Sequence, residues 1–297
     1  MPNVIAIDVG GTSIKAARAD ESGALHDLRT IPTPVAAGPD AVVAAIRGAA
    51  RDLMLPDVAA AGVVVPGAVD SVSGVASYAA NVGWRDVPLG GLLAAELGVP
   101  VFVDNDVRAA GLAEQRLGRA RDVPDCLIVV IGTGIAAVVI ARGAPVRGAL
   151  GLAGEIGHLP VRPDGEPCAC GQRGCTEVYA SAAGIARRYQ ARAGVPRTAQ
   201  EIAALLATDR DAAHVWTDAT EALGLALASC ALLLDPALVV LAGGLAGAGD
   251  ALRDPVAGSV RARLAWRTAP AIEISPLGDR AGLHGAALLA WRAARGG

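Results

Sequence analysis

Two stretches of this chain repeat one design. VIAIDVGGT (4–12) and CLIVVIGTG (126–134) are β-rich runs that each close on glycines, and IKAARAD and IAAVVIA follow them as return strands. A buried strand, a tight turn and a returning strand, one set in each half, predict a duplicated unit. Runs between them alternate in type. A helix is expected after Pro39-Asp40 with an apolar stripe through Val42, Val43, Ile46 and Leu53. A buried strand over 58–67, a helix over Leu89–Leu97, a strand in VPVFVDND and a helix over Val107–Leu117 follow. After a mainly helical stretch to Leu234 come strands ALVVLAGG (237–244) and IEIS (272–275) and a last helix over Gly282–Arg295. Alternating strands and helices predict an α/β class with parallel-rich sheets. The expected boundary lies near 117–122, giving domains 1–118 and 119–281, and the helix 282–297 is set apart.

The 297 residues are 53% hydrophobic but only 3% aromatic, so small aliphatic side chains must build the core. A net charge of −3 gives no electrostatic footprint for nucleic acid or an anionic membrane. The most membrane-like stretch, ALGLALASCALLLDPALVVLAGGLAGAG, is broken by Asp235-Pro236 and reads as a buried helix followed by a buried strand. MPNVIAIDVGG has no secretion-signal pattern, so the reducing cytoplasm is the expected compartment.

Glycines after a buried strand let the backbone approach a phosphate and offer it free N–H groups. Gly10, Gly11 and Thr12, and Gly132, Thr133 and Gly134, are candidates, with Ala242-Gly243-Gly244 a third turn. Hairpin turns with no ligand explain either of the first two equally well. Neither fits the P-loop or dinucleotide-binding glycine spacing. Asp8, at the first strand's end, is a candidate for Mg2+. Lys15, the only lysine, either adds charge beside a phosphate or sits on the exposed side of the return strand.

Asp104, Asn105 and Asp106 stand where a strand becomes a helix. One reading makes an Asp here an N-cap. The other has Asn105 bind a hydroxyl while Asp106 accepts its proton during attack on a γ-phosphate. The two can coexist.

Three of the five cysteines crowd into CACGQRGC (168–175), and Cys168, Cys170 and Cys175 lie ten, twelve and seventeen residues beyond His158. In a reducing compartment a disulfide staple is disfavoured, and C-x-C is not a thioredoxin-type redox pair. One imidazole and three thiolates form the closed four-ligand shell of structural zinc.

Together, D-x-G-G-T at 8–12, N-D at 105–106, G-T-G at 132–134, E-x-G-H at 155–158 and C-x-C-G-x-x-G-C-x-E at 168–177 occur in order along essentially the whole chain. This resembles the ROK family (repressors, open reading frames and sugar kinases), in particular its bacterial glucokinase branch. The resemblance implies an actin-like ATPase (ribonuclease H-like) fold, with two α/β domains around a cleft and the last helix crossing back to the first domain. It implies transfer of phosphate from Mg2+-ATP to the 6-hydroxyl of a hexose, glucose first among acceptors, with Asp106 as catalytic base. Other hexoses or N-acetylhexosamines as acceptors, or a non-catalytic sugar-binding or sensing protein, are the alternatives. Asn105, Asn81, Glu155, His158 and Glu177 align with sugar-binding positions, and Gly67 lies in the loop below the sugar. His158 would serve zinc and sugar alike. The first two glycine turns match phosphate turns and Gly243-Gly244 the adenosine turn. A homodimer or homotetramer is implied too. A repressor of the same family would need a DNA-binding domain upstream, whereas the first glycine turn begins within ten residues of Met1. One departure stands out: Ala136-Ala137 replace the further glycines usual after G-T-G-I. If φ > 0 were required there, nucleotide affinity would suffer.

Overall fold

The computed structural model describes residues 2–149 and 151–295. By packing, the chain divides into two units, Met1–Ala113 with Arg280–Gly297, and Glu114–Asp279.

In the first unit, β1 (Asn3–Val9) turns back through Gly10–Thr12 into β2 (Ser13–Ala19), and β3 (Leu25–Pro32) continues antiparallel. After α1 (Pro39–Leu53), β4 (Val58–Val65) lies parallel to β1. Three short strands, β5 (Ala68–Asp70), β6 (Val75–Ala79) and β7 (Trp84–Val87), then form a separate antiparallel sheet. Beyond α2 (Leu89–Leu97), β8 (Val101–Asn105) pairs parallel to β4 and runs directly into α3 (Asp106–Leu117). The main sheet order is β3-β2-β1-β4-β8.

The second unit repeats the order. β9 (Cys126–Ile131) returns as β10 (Ile135–Ala141) and β11 (Ala144–Pro145). The helices α4 (Thr176–Ala180), α5 (Ala182–Ala193), α6 (Ala199–Ala204) and α7 (Arg210–Leu234) lead to β12 (Leu238–Ala242), and α8 (Asp250–Arg263) to β13 (Ala271–Ile274). Its sheet reads β11-β10-β9-β12-β13, the same permutation of the same pairings. Each main sheet is therefore mixed rather than parallel-rich, because a glycine turn returns the chain at once and needs no crossover helix.

The aromatic-poor core is aliphatic, as the composition requires. Ile5, Ile7, Ile14, Ile46 and Leu93 are fully buried on one side of the first sheet, with Trp84 the single large aromatic among them. Val4, Ala6, Ala60 and Val64 occupy its other side, where α9 (Ala281–Ala294) packs through Leu283, Ala286 and Ala290. The approach is so close that a Cβ on Gly62 of β4 would overlap the Ala286 carbonyl. In the second unit Leu127, Val129 and Ile131 of β9 pack with Val215, Leu223 and Leu227 of α7. Among the described residues α7 alone is long and apolar enough to cross a membrane, and 56% of that apolar window is buried inside the protein, as befits a core helix.

Candidate active site

The strand-to-helix junction at the end of β8 divides its work among three side chains. Asp104 pairs with Arg108 one turn into α3. Asn105, not an aspartate, caps the helix: its Oδ1 accepts the Arg108 N–H at 3.0 Å. Its Nδ2 donates to the Gly67 carbonyl at 3.0 Å and to Asp106 Oδ1 at 3.1 Å. Asp106 Oδ1 is held by that amide and by the Val107 N–H, which it accepts at 2.8 Å. Gly67 can present its carbonyl because its φ of +86° suits glycine, and a Cβ there would run into Tyr78 and Ala79 of β6.

Asp106 keeps some exposed surface, yet burial of its carboxyl and then the negative charge of Asp8 lift its pKa to about 7. A carboxylate tuned to neutrality is suited to take a proton from a hydroxyl. Asp8 lies near the end of β1, two residues before the first glycine turn, and its carboxylate fits against α9 only because Gly282 has no side chain; a Cβ there would come within 2.6 Å of Oδ2. Lys15 pairs in register with Asp8 across the β1–β2 hairpin, which sets both on one face of the sheet. The turn itself is held by Gly10 N–H to Ser13 O at 2.8 Å and by the Thr33 hydroxyl donating to Gly10 O at 2.7 Å. Thr12 is exposed, and Asn81 lies beside Gly11, its Nδ2 3.4 Å from where a Cβ would be. The first unit thus gathers Asp8, Lys15, Asn105, Asp106 and Gly67, with Asn81 at the turn.

In the second unit Gly132, Thr133 and Gly134 join β9 to β10, with Gly132 N–H donating to Gly134 O at 3.0 Å. Ala136 and Ala137 lie in regular β10, paired with Val130 and Val129, and neither has a positive φ. The feared strain is absent because the turn has already closed before residue 135. The β10 backbone instead seats the next motif: Ala137 N–H donates to Gly154 O at 2.8 Å, and a Cβ on Gly157 would overlap the Ile135 carbonyl. Glu155, exposed, and His158 flank the short 3-10 turn so formed.

His158 and the three clustered cysteines converge, with their ligand atoms within 4.8 Å of one another. The Cys170 and Cys175 sulfurs are 3.7 Å apart, and Cys168 Sγ lies 3.8 Å from His158 Nδ1. A tetrahedron built on zinc–sulfur bonds of about 2.3 Å has edges of roughly 3.8 Å, so the set fits a zinc ion. Burial, then the neighbouring thiols, push Cys175 up to about 12, so a bound cation is what would hold it as a thiolate. Glu177 stands against this cluster, its Oε1 3.4 Å from Cys168 Sγ and 3.6 Å from His158 Nδ1. The third turn packs on the same sheet: Gly243, at the end of β12, has φ +85° and lies against Ile131, and Gly244 accepts from Gln200 Nε2 at 3.3 Å.

The sequence matches the ROK family over residues 4–293. The chain belongs to the ROK family. It is similar to glucokinases from Halalkalibacterium halodurans, 36% identical over 95% of this chain and 92% of that protein, and from Streptomyces coelicolor, 33% identical over 96% of each. Among solved structures, the ROK family glucokinase from Streptomyces griseus in complex with glucose and AMPPNP superposes with a TM-score of 0.89 at 31% identity, covering 98% of this chain and 99% of that one. The fold is the actin-like ATPase fold of ROK sugar kinases, an α/β class.

Sequence patterns gave no signal for the polar network behind the ROK cysteine loop. Arg188 Nε donates to Glu166 at 2.9 Å and its NH2 to Asp218 at 2.7 Å. The Arg162 and Arg188 guanidinium carbons lie 4.6 and 5.0 Å from the Tyr179 ring centroid, and the Tyr179 hydroxyl accepts the Glu166 N–H at 2.8 Å. A second such group is Glu114, fully buried, which accepts from the Ser275 hydroxyl and from Arg119 N–H.

Proposed function

We propose that the protein is an ATP-dependent sugar kinase that transfers the γ-phosphoryl group of ATP to the 6-hydroxyl of glucose. The observation that carries this reading is Asp106, oriented by the Asn105 amide and the Val107 N–H and tuned to about 7. As the sugar oxygen attacks phosphorus, its proton passes to Asp106; the bond from phosphorus to the β-phosphate oxygen breaks, and ADP leaves. Gly10–Thr12 and Gly132–Gly134 cradle phosphates, with Lys15 adding positive charge on the Asp8 side, and Gly243-Gly244 support the adenosine. Asp8 would hold Mg2+, which neutralises charge on the β- and γ-phosphate oxygens when bound.

By the family resemblance, Asn81, Gly67, Asn105, Glu155, His158 and Glu177 are the candidates for holding the sugar hydroxyls. His158 and the three cysteines would hold a structural zinc ion; were Nδ1, the ring nitrogen facing Cys168, to bind it, Nε2 would be left for a hydroxyl, and the metal would shape the sugar site without entering the chemistry. The same reading makes the enzyme a cytoplasmic homodimer or homotetramer at the entry of glucose into glycolysis.

Coupled measurement of ADP release with Mg2+-ATP and a panel of hexoses and N-acetylhexosamines tests the reading. Sugar-dependent release, greatest with glucose, is expected. Sugar binding without release from any acceptor would make the protein a binder and overturn it.

A further inference from the structure

One side chain stands between the second glycine turn and the cysteine loop. Glu177 Oε2 lies 3.0 Å from where a Cβ on Gly134 would be, while Oε1 faces Cys168 Sγ and His158 Nδ1 at 3.4 and 3.6 Å. The helix that carries it, α4, is tied at both ends. Thr176 donates its N–H and its hydroxyl to Leu159 O, each at 3.0 Å, next to His158. Just past its other end, Ala182 N–H donates to Gly132 O at 2.9 Å. Five residues of helix thus form a strut from the metal loop to the glycine turn, with a half-buried carboxylate in contact with both.

We propose that Glu177 couples the two substrates: the nucleotide phosphates on the Gly132–Gly134 turn and the sugar hydroxyls beside His158 are sensed by the same carboxylate. This rests on the kinase reading above. An anion arriving on the turn repels Oε2 and drives the carboxylate toward the sugar side, where a hydroxyl donor meets it. Nucleotide binding then tightens sugar binding, and by linkage sugar tightens nucleotide to the same extent. A purely sugar-binding Glu177 would have no reason to touch the turn.

Gly134 offers the test because its φ is not positive, so alanine changes the space and not the backbone preference. Calorimetric titration of glucose, without nucleotide, into zinc-loaded Gly134→Ala is expected to show affinity tightened about fivefold or more, because the added methyl moves Oε2 off the turn as an arriving phosphate would. Gly258→Ala in α8, whose Cβ would meet nothing within 4 Å, leaves nucleotide-free glucose affinity as in the parent. Adding the Mg2+ complex of a non-hydrolysable ATP analogue should tighten glucose on the parent protein by a similar factor, and on Glu177→Gln by none. Zinc content, measured on every variant, shows that the loop is intact. Parent-like or weakened glucose affinity in Gly134→Ala, or equal tightening in Glu177→Gln and the parent, overturns the coupling. A parent protein that neither binds nor phosphorylates glucose sinks the kinase reading instead.

Discussion

The two glycine turns share their place in the sheet, while their surroundings differ. Each follows the first strand of a five-stranded sheet of identical order, and each returns directly into an antiparallel partner. Behind the first stand charged side chains: Asp8, Lys15 in register with it, and Asp106, its pKa raised by burial and then by Asp8. Behind the second stand Glu177 and, through it, a cluster of sulfur and imidazole ligands. One strand–turn–strand arrangement occurs twice in the same sheet order. On the proposed kinase reading, what stands behind each copy would separate the making and breaking of bonds from the recognition of what is to react.

That contrast breaks most sharply at Asp106. Asp106→Asn should keep glucose affinity near that of the parent while steady-state turnover falls by about 10²–10⁴-fold, since only the base is lost. Turnover within tenfold of the parent would assign the proton elsewhere. On the other side, Cys170→Ser should lose zinc, taken as about one per chain in the parent, and weaken glucose binding by roughly 10–100-fold. Metal analysis with glucose titration checks this, and intact sugar affinity without zinc would detach the metal loop from recognition.

The pH dependence sharpens the chemical side. Asp106 must be ionised to accept a proton, so with its pKa raised to about 7, kcat/KM should fall about tenfold per pH unit below that value and level off above it. A profile flat from pH 5 to 8 would contradict the assignment. The smallest effect is on stability. A carboxyl whose folded pKa lies above its unfolded value holds its proton more tightly when folded, so its contribution is fully present below about 4 and lost as pH rises through 7. Asp106→Asn, neutral throughout, should therefore raise Tm by about 2 °C or more at pH 8 and leave it near the parent's at pH 4.

Much of the fold was legible because its strongest elements are strongly patterned. Leu89–Leu97 stops at Gly98 as expected, and the runs at 126–131 and 135–141 are strands. The sheet of β5, β6 and β7 was not legible: its strands have three to five residues, mixed exposure and turns throughout, so no period can accumulate. Exposed β3, an edge strand, hid for the same reason. The His158–Cys175 cluster could be read because metal ligation constrains residue type and spacing together. The capping role was misassigned between neighbours, since Asn and Asp cap equally well and only coordinates show that Asn105 takes the Arg108 N–H. The contact of Glu177 with Gly134 spans 43 positions and depends on the absence of a side chain, which no local pattern encodes.

The tight seat of Ala286 over Gly62 bears on how this protein is made. Residues 114–279 are contiguous and leave the ribosome as a finished set, able to collapse on their own. The N-terminal sheet, though synthesised first, has Val4, Ala6 and Val64 bare until the last helix emerges. Translation order and maturation order are thus reversed, and the nascent chain carries a sticky, half-covered surface through almost its entire synthesis.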